Sequence, residues 1–221
     1  IIVAVSVPAV TAFSLWVGSS IYRMRCGIRS FFRCVFYLPV VTGSVSVGVI
    51  WTWIMNGDFG LLNTILGAVG ITGPKWLTDP KIVLFSIVIV SVWWNVGYNM
   101  VLLLAGLQNI PEVYYEAAEI DGANKWKAFR HITLPMLSPT LFFVLIMTII
   151  SSFQVFDQAY VMTQGGPMKA SYTLVYHIYQ GAFVEFRMGG ACAASVILFA
   201  IILAITMIQM YGSKRWVNYE Q

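Results

Sequence analysis

Side chains able to do chemistry are few in this sequence, and they are clustered. Seven of its 22 Asp, Glu, Lys and Arg residues fall in one island: Glu112, Glu116, Glu119, Asp121, Lys125, Lys127 and Arg130. The spacing of Glu112, Glu116 and Glu119 makes an acidic row on one helical face, because residues three and four apart are neighbours on a helix. Such a row suits pairing with a basic partner. His131 has no second His or Cys beside it, so the island lacks the ligand set of a metal centre. Two other groups are rich in polar atoms. One is Trp93-Trp94-Asn95-Val96-Gly97-Tyr98-Asn99; the other comprises Thr148, Ser151, Ser152, Gln154, Asp157 and Gln158. Gln154 and Asp157 share a helical face, as do Thr148 and Ser152. Aromatic platforms beside amides, hydroxyls and a carboxylate suit a hydroxylated small molecule. Adhesion between helices is the competing use of Ser, Thr and Asn, and an ion pair with Lys169 or Arg187 is the competing use of Asp157. Gly165-Gly166-Pro167 is followed by no Gly-Lys-Ser/Thr, so it reads as a turn and not a phosphate loop, and ATP hydrolysis is not expected of this chain.

The elements that must position these residues follow from composition. Hydrophobic residues make up 59% of the 221, charged residues only 10%, and the mean hydropathy is +0.79. A soluble domain carries roughly 25% charged residues. The sequence therefore reads as an all-α integral membrane protein, since helices satisfy their own backbone in lipid. Five segments reach or approach the roughly 20 apolar residues of a span: 1–22, 35–55, 82–106, 139–161 and 189–211. The intervening stretches differ in charge. Residues 23–34, 107–138 and 212–221 hold nine Lys and Arg, against four in 56–81 and 162–188. The positive-inside rule then puts the island and the C-terminus in the cytoplasm. The chain opens on Ile1-Ile2-Val3 with no methionine or basic leader. It reads as starting inside a longer protein of about six or more spans, truncated at its N-terminus. The net charge of +4 needs no nucleic acid to explain it. Cys26, Cys34 and Cys192 have no metal-ligand spacing and read as ordinary helix residues, so no metal is expected.

Outside the membrane, Asn56-Gly57-Asp58-Phe59-Gly60 reads as a turn and residues 61–66 as a short interfacial helix. Trp51, Trp53 and Trp76 read as interface anchors, as does the row of Tyr172, Tyr176, His177 and Tyr179, for which contact with an external protein is the competing use. Within the island, Val113, Ala117 and Ile120 form an apolar stripe beside the acidic row. Asp121-Gly122 offers a stop, because glycine enters the left-handed region without steric cost. Asn124 can cap a second short helix carrying Trp126, Phe129 and Ile132 or Thr133. Leu134-Pro135 is expected to end it, and Pro139 to open the next span. Two short helices are not stable alone. Part of their surface must pack on the protein's own spans, leaving the rest for a partner's groove. A lipid-facing amphipathic helix would favour a basic polar face, whereas the first helix here is acidic.

These residues carry a resemblance. Glu116-Ala117-Ala118, Asp121-Gly122-Ala123, Phe129, Ile132, Leu134-Pro135 and Pro139 resemble the EAA motif of inner-membrane permeases in binding-protein-dependent ABC importers. Trp76-Leu77, Gly106 through Pro111, Gln164 through Pro167, and the tail from Trp216 to Glu220 resemble the carbohydrate-type permeases. The likeness is strongest to the first, larger subunit of maltose and glycerol-phosphate importers, and it covers essentially all of residues 1–221 as a single transmembrane domain. It implies a permease for a sugar or sugar derivative, working in the cytoplasmic membrane of a bacterium or archaeon. Its partners would be a second homologous permease, two cytoplasmic ATPases that bind ATP and Mg, an extracytoplasmic solute-binding protein and membrane lipid. Glu116, Ala117, Ala118, Asp121, Gly122, Ala123, Phe129, Leu134 and Pro135 would couple to an ATPase, with Glu116 meeting a basic residue and Gly122 forming the elbow. Trp93, Gly97, Thr148 and Ser152 match stretches that line the sugar site in maltose-type permeases; Asn95, Asn99, Gln154 and Asp157 join them as candidates. Amino-acid or peptide import, ion-coupled transport and membrane-embedded catalysis are the alternatives. The last two ask for inverted repeats or paired intramembrane carboxylates, and neither is evident.

Overall fold

The computed structural model describes residues 1–214, 216 and 217, and its regular structure among them is entirely helical. Arg215 and the Asn218-Tyr219-Glu220 part of the tail lie outside the described residues. The helices are α1 (Ile2–Tyr22), α2 (Cys26–Val41), α3 (Ser44–Ile54), α4 (Leu61–Ala68), α5 (Val83–Gln108), α6 (Glu112–Ile120), α7 (Lys125–Ala128), α8 (Leu134–Phe153), α9 (Leu174–Tyr179) and α10 (Met188–Ser213). Wider π turns occupy Phe129–Thr133, Ala159–Thr163 and Gln180–Val184. Among the described residues, four helices are long and apolar enough to cross a membrane: α1, α5, the continuous stretch Lys125–Phe153, and α10.

The fifth expected span, 35–55, is not one straight helix. The α2 and α3 helices together pass the same test but meet at 98°. Pro39 supplies no N–H to the last turn of α2, and Thr42 and Gly43 are extended, with ψ of 140° and 135°. Residues 23–34 are likewise not a loop. Only Arg23, Met24 and Arg25 connect α1 to α2, and Arg29 and Arg33 ride on the second helix. Arg29 Nη2 donates to the carbonyls of Tyr22 at 2.8 Å and Met24 at 3.3 Å. It thereby satisfies carbonyls that the end of α1 leaves free.

The expected span 139–161 is shifted as well. It begins within the island and ends at Phe153, where Gln154 turns out of helical geometry (φ −98°, ψ 14°). Leu134-Pro135 ends nothing. The Leu134 N–H bonds the Phe129 carbonyl five residues back, and this wider turn carries the chain past the prolines without a break. The short interfacial helix appears as α4, entered by a turn in which Asn56 Oδ1 accepts from the N–H groups of Asp58 and Phe59.

The inner core lies where α1, α5 and α8 meet, with Val17, Ile21, Met100, Leu103, Leu104, Leu107, Leu137 and Val144 buried together. In lipid such helices associate by close packing and not by hydrophobic exclusion. Small residues allow the approach: Gly18 lies against Met100 and Leu103. By contrast α10 buries few residues and leaves Val196, Ile197, Phe199, Met207 and Ile208 exposed, as expected of a lipid-facing helix. The ends of α1 and α5 adjoin the charged island, since Tyr22, Leu107 and Tyr115 line one cavity. Residues Ile1–Val3, Leu84, Ser152 and Tyr172 line another, which places them at the opposite end.

Candidate functional site

The island folds as the two helical arms its sequence predicts. A six-residue bond pattern closes the first arm: Gly122 N–H donates to the Glu119 carbonyl (3.1 Å) and Ala123 N–H to that of Ala118 (2.9 Å). This double closure requires a left-handed residue between helix and exit, and Gly122 supplies it at φ +72°. Asn124 Oδ1 then accepts from the Lys127 N–H at 2.9 Å and caps the second arm. Tyr115 anchors the first arm. It packs on the inner core, and its hydroxyl shares a 2.9 Å hydrogen bond with Thr133 Oγ1. Ala118 and Ala123 are half-buried beside it, whereas Glu116, Ala117 and Asp121 are exposed. The apolar stripe is left outward, with Val113 68% and Ile120 86% exposed. Phe129 is half-buried and stacks on Trp126 at 5.8 Å; Leu134 and Pro135 are half-buried in the continuing helix.

The second set of candidates does not converge on one site. Asn95, Gln154 and Asp157 come together in a polar cavity of about 180 Å³, with Ser91, Trp94, Ser151 and Gln158. Asn95 Nδ2 donates to the Ser91 carbonyl at 2.8 Å. Asn99 and Thr148 are buried and tie α5 to α8: Asn99 Nδ2 donates to Thr148 Oγ1 at 3.0 Å, and Thr148 Oγ1 donates to the Val144 carbonyl at 2.7 Å. Ser152 shares a 3.1 Å bond with Ser6 and so joins α8 to α1. Gly97 is a packing residue. A side-chain carbon there would overlap the Phe36 carbonyl, so only glycine lets α2 lie this close to α5. Trp93 is 42% exposed and meets Trp51 edge-to-face at 5.4 Å. The ion pairs envisaged for Asp157 do not form. Arg187 sits 3.7 Å from Glu185, and Lys169 lies over the Tyr172 ring at 5.7 Å. Asp157 also lies past the end of α8 and not within a span.

A family model described as "binding-protein-dependent transport system inner membrane component" matches residues 8–218. The chain belongs to this family. A probable ABC transporter permease of Bacillus subtilis, YesP, is 38% identical over 99% of this chain and 71% of its own length. The arabinooligosaccharides transport system permease protein AraP of the same organism is 34% identical over 95% of this chain and 66% of itself. The chain thus spans roughly two thirds of the length of such relatives. A crystal structure of a bacterial alginate ABC transporter, in complex with a periplasmic protein bound to alginate pentasaccharide, contains a chain of the same fold. Its TM-score is 0.88 at 22% identity, covering 97% of this chain and 75% of that one.

As a multi-pass membrane component of this family, the chain has further features that residue patterns did not reveal. Phe156, Tyr160, Tyr176 and Tyr179 pack into one aromatic cluster beside the polar cavity, with Phe156–Tyr179 centroids 5.0 Å apart. The tyrosine row is therefore packed against other rings, beyond the interface anchoring or external contact expected of it. Burial, then Glu185 and Tyr176, hold the Tyr172 hydroxyl above its ordinary pKa. A hydrogen bond with Tyr160 leads the causes that raise Tyr179. Trp76 is similarly occupied, its indole N–H donating to Asn63 Oδ1 at 2.8 Å. The Gln164–Pro167 turn is held from α9's side, where Tyr176 donates to the Gln164 carbonyl (3.1 Å) and Ser171 to that of Gly166 (2.5 Å).

Proposed function

We propose that this chain is the permease subunit of an ATP-driven importer for a sugar or sugar derivative, coupled to a cytoplasmic ATPase through the elbow of α6 and α7. The observation that carries this reading is the division of α6 into two faces. Tyr115 and Ala118 hold it to the permease core, while Val113, Glu116, Ala117 and Ile120 remain exposed together. An anchored helix with a free apolar and acidic face transmits force, since it neither rolls nor detaches when a partner pulls. In this reading Glu116 pairs with a basic residue of the ATPase, Gly122 sets the angle of the elbow, and Phe129, Leu134 and Pro135 join the elbow rigidly to the α8 span. ATP and Mg belong to the two ATPase subunits. A second permease and an extracytoplasmic binding protein complete the complex, with the elbow and the C-terminus on the cytoplasmic side.

The solute is proposed to pass near the cavity of Asn95, Gln154 and Asp157, whose amides and carboxylate match sugar hydroxyls. Relatives named for arabinooligosaccharides and for alginate favour a carbohydrate over an amino acid. The mechanical step needs differential affinity: ATP shifts the permease only if the ATPase holds the elbow differently in its two states. Cross-linking tests the coupling surface. In the full-length complex, with Cys26, Cys34 and Cys192 replaced by serine, a cysteine at Ile120 should cross-link to the ATPase and one at Tyr115 should not. Equal cross-linking at both positions would overturn the assignment of faces. ATP-dependent uptake of labelled oligosaccharides into proteoliposomes tests the cargo.

A further inference from the structure

We propose that a groove between the end of α1 and the second arm of the elbow binds one anionic phospholipid, its phosphate held between Arg23 and Lys125. Two cavities adjoin there, of about 260 and 600 Å³, sharing Ser19, Arg23, Lys125 and Phe129. The larger one continues along α1 past Trp16 and Leu15 to Ala12, with Trp126 on its rim. From Arg23 to Ala12 is eleven residues, or roughly 16 Å of helix. That matches one leaflet of a hydrocarbon core about 30 Å thick. The groove is therefore charged at one end and apolar over the depth of a single acyl chain.

Charge decides the occupant. No acid lines the larger cavity, and only Glu119 borders the smaller one. Neither Arg23 nor Lys125 has an ion pair among the described residues. Both are exposed, as is Trp16 at 64%, so this edge of α1 is uncovered by the other described residues. A zwitterionic lipid would set its own ammonium against the two cations, whereas an anionic headgroup leaves its phosphate charge free for both. The headgroup end reaches Tyr115, Ala118 and Ala123 in the smaller cavity. Occupancy therefore touches the anchored face of α6 from the membrane side. This site does not depend on the elbow meeting an ATPase.

Native mass spectrometry of the full-length complex, titrated in detergent with phosphatidylglycerol or phosphatidylcholine, tests the proposal. One phosphatidylglycerol should be retained in preference to phosphatidylcholine. The paired substitution Arg23→Gln and Lys125→Gln should cut that retention about tenfold or more, two interfacial cations being involved. Arg23→Lys with Lys125→Arg should keep it. As a control, Arg25→Gln with Arg130→Gln removes two cations that line neither cavity. An equal loss from the control would reduce the effect to general surface attraction and overturn the site. So would equal retention of both lipids, or no retention in the full-length chain because another segment fills the groove.

Discussion

The elbow at one end of the molecule and the polar cavity near the other are built on opposite plans. The hydrogen bonds that close and cap the elbow span a few residues, Ala123 to Ala118, Gly122 to Glu119 and Lys127 to Asn124, and one longer bond, Tyr115 to Thr133, anchors it. The side chains proposed to meet the ATPase, Glu116 and Ile120 among them, are exposed. The cavity wall instead joins residues from Ser91 to Gln158. Although Asn95 bonds locally to Ser91, the helices that carry the wall are tied by bonds that cross the fold, from Asn99 to Thr148 and from Ser6 to Ser152. A locally closed motif keeps its shape while it is moved as a body. A cavity built from separate helices changes whenever those helices shift. The contrast suits a lever at one end and an adjustable passage at the other.

Gly122→Pro attacks the lever most directly. Proline cannot adopt φ +72°, and a misfit of about 3 kcal/mol corresponds to roughly two decades in rate. Uptake by proteoliposomes should fall to about one hundredth while solute capture by the binding protein is unchanged; normal uptake would remove the elbow from the mechanism. Glu116→Lys keeps the fold, because the side chain is exposed, but reverses a charge at the proposed interface. Uptake should drop about tenfold or more, with the ATPase recovered in lower yield on co-purification. At the cavity, Asp157→Asn should raise KM for uptake by about tenfold with kcat nearly constant, the scale of one charge-assisted hydrogen bond. A fall in kcat alone would place Asp157 off the path.

Two smaller changes sharpen the other half of the comparison. Gly97→Ala forces α2 away from α5 at Phe36 and should cost about 1–3 kcal/mol as overpacking, read as a lower thermal midpoint in detergent. Asn99→Leu breaks the bond to Thr148. Bonds of this kind between membrane helices average about 0.6 kcal/mol, so the thermal midpoint should barely move. A large loss would mean that the Asn99–Thr148 pair organises more of the fold than its single bond suggests.

Legibility followed sequence distance. The elbow was readable because Gly122 and Asn124 act on neighbours within one turn. Three spans, α1, α5 and α10, matched their apolar runs within a few residues. Hydropathy failed where apolar composition and helical direction part company. The run 35–55 is apolar throughout, yet Pro39 and Gly43 turn it through 98°. Arginines at 29 and 33 read as a loop, because nothing local reveals that Arg29 caps the end of α1. Prolines 135 and 139 read as a break, because the π turn that accommodates them leaves no mark in composition.

The sequence by itself determined the class of molecule, the number of apolar segments and the elbow. Apolar length, backbone satisfaction in lipid and helix-capping chemistry all act over a few residues. Only the tertiary structure decided which face of α6 is anchored, that Gly97 serves packing, and that Asn95, Gln154 and Asp157 share one cavity. Those outcomes depend on which helices touch and at what angle, and close packing between distant segments leaves no local pattern in the chain.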